Sequence, residues 1–309
     1  MTIRVGIIGY GKIAEDQHVP SIRGDGAFEW VAASSRATRE LDVPAFTDHL
    51  EMLREVEMDA VAVCTPPGVR YALARDCLDA GKHVMLEKPP GVTLGEVEAL
   101  AQLAEARGVT LMTTWHAQAN AAVTAAAEAL SGERIASMRI VWHEDVRKWH
   151  PGQAWIWEAG GFGVFDPGIN ALSIATRIVP ARLIVRSATF SVPANKAMPI
   201  AAELVLASPA ADAGIDVSFD WRFAEGERWT IDVTTGSGRT VALSEGGAKL
   251  AIDGAEQAHG EGAGEYPMLY AEFARLIADG RSHVDIEPLR VVADAFMLAT
   301  REAVEPFLD

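Results

Sequence analysis

Apolar positions in the first 115 residues fall in short unbroken runs. Segments 3–9, 28–34, 60–65, 83–86 and 109–114 each read as one. Such runs predict strands buried on both faces. Helical spacing lies between them, over 69–80 before Gly81 and over 93–107 before Gly108, where glycine suits a helix C-cap. Strands alternating with helices predict a parallel sheet covered on both sides.

Near residue 120 the pattern changes. An alanine-rich helix is expected over 121–130. Longer strands with visible alternation follow at 137–144, 183–192, 201–207, 215–222, 229–235 and 240–244, separated by Gly, Pro and Asp. That is the pattern of an antiparallel sheet with one face packed and one open. A helix is expected over 167–178, and the tail, 267–279 and 288–304, reads as helix. The fold class is therefore α/β: a parallel-sheet domain over 1–118, then an α+β domain over 119–309 with a large, mostly antiparallel open-faced sheet. The C-terminal helix is expected to pack back toward the first domain.

The length of 309 residues agrees with two domains at ~100–200 residues each. A net charge of −16 opposes binding to a phosphate backbone or an acidic membrane. No apolar run approaches the ~18 residues of a membrane span. Nucleic-acid and membrane partners are not expected, and a cytoplasmic protein is. Two cysteines, Cys64 and Cys77, both in apolar stretches, read as reduced thiols.

Gly9-Tyr10-Gly11-Lys12-Ile13-Ala14 lies between the first strand and the first helix. There a dinucleotide-binding Rossmann fold places its phosphate loop. Gly9 permits the tight turn, Gly11 lets amides approach a pyrophosphate, and Ala14 packs helix on strand. Gly9, Gly11, Lys12 and Ile13 are the candidate cofactor loop. An acidic residue ending the second strand would bind the adenosine ribose and repel a 2′-phosphate. Ser35 and Arg36 stand there instead. Both suit a phosphate, so NADP is expected to be preferred and NAD tolerated. Glu87-Lys88-Pro89 follows another strand at the carboxyl edge of the sheet, where ligands bind in such folds.

These motifs, with Thr65-Pro66 and Ala80-Gly81-Lys82-His83-Val84, resemble the Gfo/Idh/MocA oxidoreductases. The resemblance implies cofactor contacts from Thr65, Pro66, Glu87 and Lys88. Trp115-His116, Glu144-Asp145-Val146-Arg147, Trp149-His150-Pro151-Gly152-Gln153 and 165–171 are similar to its subgroup of bacterial L-arabinose and D-galactose 1-dehydrogenases. That implies an aldopyranose substrate oxidised at C1 to its lactone, and a homo-oligomer with a dimer favoured. Many family members carry Asp-x-x-x-His on the helix facing the nicotinamide. This chain has Asp166-Pro167-Gly168-Ile169-Asn170, the asparagine form of the aldose subgroup.

Five of the eight tryptophans and three of the eight histidines lie between residues 115 and 157. Flat apolar faces beside polar groups suit the two sides of a sugar. His116, Glu144, His150, Trp149 and Trp155 are the candidate substrate residues. No pair has metalloprotease spacing, and no metal is expected. Asp-Pro-Gly before a helix also predicts Asp166 as an N-cap with proline first in the helix. The glycines at 160, 161 and 163 would let the backbone approach a ligand. Removal of the anomeric proton is assigned to Asp166 and Lys88 as a pair, their order open, with Asn170 orienting the hydroxyl. Two alternatives stand: a family dehydrogenase acting on a ring secondary alcohol or dihydrodiol, and a non-catalytic NADP(H)-binding sensor.

Overall fold

The computed structural model describes residues 2–37, 40–258 and 264–308. In chain order they form β1 (Ile3–Ile8), a π-wound turn Ala14–His18 leading into α1 (Val19–Gly24), β2 (Phe28–Ser34), β3 (Ala45–Phe46), α2 (His49–Glu55), β4 (Ala60–Val63), α3 (Pro67–Asp79), β5 (His83–Leu86), α4 (Leu94–Arg107) and β6 (Leu111–Thr113). Next come α5 (Ala121–Leu130), β7 (Ile135–His143), α6 (Val146–Trp149), α7 (Phe165–Ile178), β8 (Ile184–Pro193), β9 (Ala201–Ala207), β10 (Ile215–Asp220), β11 (Arg228–Thr235), β12 (Thr240–Ser244), β13 (Lys249–Ile252) and β14 (Ala255–Glu256). The chain closes with α8 (Glu265–Ala278), α9 (Glu287–Leu298) and β15 (Ala299–Val304).

Two compact units result, Met1–His116 with Ala263–Ile286, and Ala117–Gly262 with Glu287–Asp309. The first holds a six-stranded parallel sheet in the order β3-β2-β1-β4-β5-β6. The order reverses at β1, whose neighbours are β2 and β4, so the loops after β1 and β4 open at the switch point where doubly wound sheets bind ligands. Val61, Val63, Val84 and Leu86 are buried against Ala74, Leu78 and Leu100 of α3 and α4, which is why these strands read as unbroken apolar runs. Thr93 and Glu96 close a capping box that starts α4. The helix that joins this unit from late in the chain is α8, which packs on α1. The final helix, α9, packs on α7 and β8 of the second unit.

The second unit carries a nine-stranded sheet, β14-β13-β12-β11-β7-β10-β9-β8-β15. Its pairs are antiparallel except β7 with β10 and β8 with β15. Alternation is plain along β10, where Ile215, Val217 and Phe219 are buried and Asp216 is exposed. One expectation fails at the tail. Residues 299–304 are strand, not the continuation of a helix, because Thr300–Val304 run parallel beside β8 and satisfy its outer edge. Among the described residues no helix is long and apolar enough to cross a membrane.

Candidate active site

The turn after β1 fits a dinucleotide phosphate. Gly9 has φ +91°, and a Cβ there would lie 2.7 Å from Thr65 Cγ2 and 2.8 Å from the Thr65 amide nitrogen. Only glycine allows the two loops to meet so closely. At Gly11 a Cβ would find nothing nearer than the Gly9 carbonyl oxygen at 4.0 Å, so its backbone is open to a ligand. Ala14 is fully buried under the helix. Lys12 extends into solvent and pairs with Asp16, while Ile13 is 37% exposed. The Ser34 carbonyl accepts from the Gly9 amide, and the Ser35 amide donates to Phe46, which places Ser35 and exposed Arg36 at the end of β2. No acidic side chain stands at 35 or 36.

Glu87 is the centre of this unit's polar interior. It is 4% exposed, and its Oε1 receives His18 Nε2 at 3.0 Å and the Tyr266 hydroxyl at 2.8 Å. Its Oε2 receives the Lys88 backbone N–H at 2.9 Å. Burial disfavours the charge, but His18 and Tyr266 outweigh it and hold the Glu87 carboxyl well below the usual carboxylate range. His18 is likewise opposed by burial, yet the Cys64 thiol, the Tyr270 hydroxyl and Glu87 hold its imidazole well above the ordinary 6.5. Arg70, also buried, donates to the backbone carbonyls of Thr65, Glu87 and Pro89, tying together the loops after β4 and β5. Lys88 is half-buried at the end of this assembly, and Pro66 precedes α3. His116 closes the unit, with Nδ1 2.8 Å from Glu265 Oε2 and its ring stacked on Tyr266.

In the second unit, three residues named from the sequence come together. His150 Nε2 stands 3.7 Å from Asp166 Oδ2 and 4.0 Å from Glu144 Oε1. Asp166 and Glu144 are 5% and 3% exposed. Glu144 Oε1 also receives Trp221 Nε1 at 3.2 Å, and Oε2 receives Trp229 Nε1 at 2.9 Å. Trp229 stacks on Trp142 with ring centroids 5.6 Å apart and meets Trp149 at 5.5 Å. Trp149 is 44% exposed, and Trp155 is half-buried in the 3-10 turn Ala154–Trp157 that follows. Asn170, half-buried, lies one turn beyond Asp166 on α7. The arrangement offers aromatic faces and acceptor-rich polar atoms from separate segments, the means of gripping a polyhydroxylated ring.

Two expectations are corrected here. Asp166 is not the N-cap of α7. Helical geometry already begins at Phe165 after Val164, and Asp166 sits inside the first turn. Pro167 is accommodated there because first-turn N–H groups have no intrahelical partner. The glycines at 161 and 163 approach the chain itself rather than open space. A Cβ at Gly161 would lie 2.0 Å from the Trp155 carbonyl oxygen, and one at Gly163 2.4 Å from that of Pro199. Gly168 has a similar cause, since a Cβ would strike the Phe219 ring at 2.7 Å. His116 belongs to the first unit and pairs with Glu265, whereas Glu144, His150 and Asp166 belong to the second.

The sequence reading passed over His18, Tyr266, Tyr270, Trp221 and Trp229. The expected strands 215–222 and 229–235 placed Trp221 and Trp229 only at strand ends. A signal lay in their register, for Trp229 pairs directly with Trp142 across β11 and β7, two residues from Glu144.

Residues 3–115 match the oxidoreductase family with an NAD-binding Rossmann fold, Gfo/Idh/MocA. The chain is 44% identical over 308 residues, 99% of each protein, to galactose 1-dehydrogenase of Pseudomonas fluorescens. It is similar to the crystal structure of a D-galactose-1-dehydrogenase protein from Rhizobium etli, at TM-score 0.93 and 46% identity over 99% of this chain and 98% of that one. A 3-ketoreductase from Actinomadura kijaniata, in complex with NADP and TDP-benzene, shares the fold at TM-score 0.85 and 20% identity, over 98% of this chain and all of that one. Sequence, topology and full-length likeness agree: the chain belongs to the Gfo/Idh/MocA oxidoreductase family.

Proposed function

We propose that this protein is an aldose 1-dehydrogenase that oxidises D-galactose, L-arabinose and D-fucose at C1 to their lactones, with NADP favoured over NAD. The observation that carries the reading is His150 held between two buried carboxylates beside exposed Trp149. Full-length similarity to galactose 1-dehydrogenase supports the substrate class. The cofactor, when bound, supplies the hydride acceptor. Gly9, Gly11, Lys12 and Ile13 receive its phosphates, with Thr65, Pro66, Glu87 and Lys88 beside them, and Ser35 and Arg36 receive the 2′-phosphate.

Oxidation at C1 removes the proton from O1 and a hydride from C1, leaving the lactone carbonyl. The O1 proton is assigned to the Lys88–Asp166 pair with the order open: a neutral Lys88 or the Asp166 carboxylate takes it, and where Asp166 is the acceptor a charged Lys88 stabilises the negative charge that develops on that oxygen. Asn170 orients the anomeric hydroxyl. His150 and Glu144 read the remaining hydroxyls, Trp149 and Trp155 cover the C–H face, and His116 completes the set. The three sugars share configuration at C2, C3 and C4, so one set of partners serves all. D-Glucose, the C4 epimer of galactose, would leave one buried partner unmatched at about 1–3 kcal/mol. Homodimer formation belongs to the same reading, and sedimentation measures it.

The test is a scan of the four sugars with NADP+ and NAD+, following cofactor reduction by absorbance and lactone by hydroxamate formation. The reading expects turnover of three sugars, weak turnover of glucose and a lower Michaelis constant for NADP+. Ser35→Asp is expected to reverse the cofactor ratio. Comparable efficiency on glucose, or a ketone product, contradicts the reading.

A further inference from the structure

We propose that His18 is a positioning residue for Lys88, acting through Glu87. The inference rests on the role just assigned to Lys88. The geometry is a relay of three contacts within one unit. His18 Nε2 meets Glu87 Oε1 at 3.0 Å, and the other oxygen of the same carboxylate receives the Lys88 N–H at 2.9 Å. Glu87 therefore fixes the backbone from which the Lys88 side chain departs. Being buried, it keeps a negative charge only while its surroundings supply compensation.

His18 is the group able to supply it. It is fully buried on the π-wound turn that follows the phosphate loop, and its Nδ1 lies 2.8 Å from the Tyr270 hydroxyl. Single π-turns in helices are frequent at functional sites. Facing His18 are Glu87 after β5, Cys64 after β4, and Tyr266 and Tyr270 of α8. His116 acts on Glu87 from further along the chain. Of the groups facing Glu87, Tyr266 adds a neutral donor, whereas His18 and His116 can add positive charge. Only His18 of those two is hydrogen-bonded to the carboxylate among the contacts described.

Losing His18 raises the proton affinity of Glu87. A protonated Glu87 then has one fewer strong acceptor for the Lys88 amide, and Lys88 loses its fixed start. Turnover falls, and the acid limb of its pH profile moves to higher pH. Sugar affinity, assigned to the Glu144–His150 cluster of the other unit, changes little.

The experiment compares His18→Leu, His18→Gln and Tyr266→Phe in the full chain. It reads kcat and KM against pH with D-galactose and NADP+, and hydrogen exchange of the Lys88 amide by NMR, with the Val84 and Leu86 amides as internal reference. His18→Leu is expected to lower kcat at least ~10-fold with KM within ~3-fold, and to speed Lys88 exchange relative to the reference. His18→Gln, which restores a donor without charge, recovers exchange protection but keeps the shifted acid limb. Tyr266→Phe shifts both readouts in the same direction by less. Unchanged kcat and pH profile in the His18 variants, or unchanged Lys88 exchange in both His18→Leu and Tyr266→Phe, overturns the proposal. Should His18→Leu not fold, His18→Gln and Tyr266→Phe decide it. If the parent oxidises no aldose, the function reading fails by itself, and Lys88 exchange still decides whether His18 holds the Glu87 contact.

Discussion

Glu87 in the first unit and Glu144 in the second are both nearly buried carboxylates, yet they are held in different ways. Glu87 is matched by one titrating partner, the His18 imidazole, together with the neutral Tyr266 hydroxyl and the Lys88 amide. Glu144 is matched by two indole N–H groups, which never titrate, with His150 at 4.0 Å. A buried charge can thus be compensated by an opposite charge or by oriented neutral dipoles. The first solution makes the match depend on the protonation of a partner as well as of the carboxylate, whereas the indole N–H donors of the second keep their form at every pH.

The comparison breaks most visibly through stability. Glu87→Leu strands the His18 charge and should cost about 3–5 kcal/mol, as loss of one partner from a buried pair does. Glu144→Gln leaves one indole N–H facing an amide N–H and should cost about 1–3 kcal/mol. Urea denaturation of both variants measures the gap, and equal losses would remove the distinction. Next in size, Lys88→Ala and Asp166→Ala should each lower kcat by ~10²-fold with NADP+ binding kept. Fluorescence titration beside kinetics separates the two quantities. Loss of cofactor binding in Asp166→Ala would contradict its place in the sugar-reading unit.

Gly168→Ala should follow, at about 1–3 kcal/mol, because the new methyl meets the Phe219 ring and the well-packed core must shift. Its thermal midpoint reports the cost, and an unchanged midpoint would show that α7 can move off the sheet. The smallest effect is a tilt of stability with pH. His18 is raised above its unfolded 6.5, so its contribution is complete below that value and lost as pH rises through the folded value. Glu87 is depressed below 4.5, so its contribution is complete above that value and lost as pH falls through the folded one. The thermal gap between parent and His18→Gln should therefore be widest below pH 6.5 and close as pH rises. A gap that widens toward alkaline pH would reverse the assigned charge.

Most strands were legible because their apolar runs are unbroken, as in β4, or visibly alternating, as in β10. β3 was missed, being two residues long, and α2 because it buries only Met52 and so shows no apolar stripe. β13 and β14 hid in a short edge hairpin, and β15 in the helical composition of the tail. At the site, Glu87, Lys88, Glu144, His150 and Asp166 stood beside turn signals that sequence shows directly. Their supports did not. His18 and Tyr266 reach Glu87 across separations of 69 and 179 residues, and Trp229 reaches Glu144 across 85. Only the folded sheet and the late return of α8 bring such partners together. The N-cap reading of Asp166 failed for a local reason, since α7 begins at Phe165, two residues before the expected start at 167.

The central claim is that the bond broken is C1–H of an aldose. D-Galactose deuterated at C1, incubated with NADP+ and the protein, tests it most directly by mass spectrometry of both products. The account predicts deuterium in the reduced cofactor and none in the galactonolactone. Deuterium retained in the sugar product, with unlabelled reduced cofactor, would place the oxidation at another carbon and contradict it.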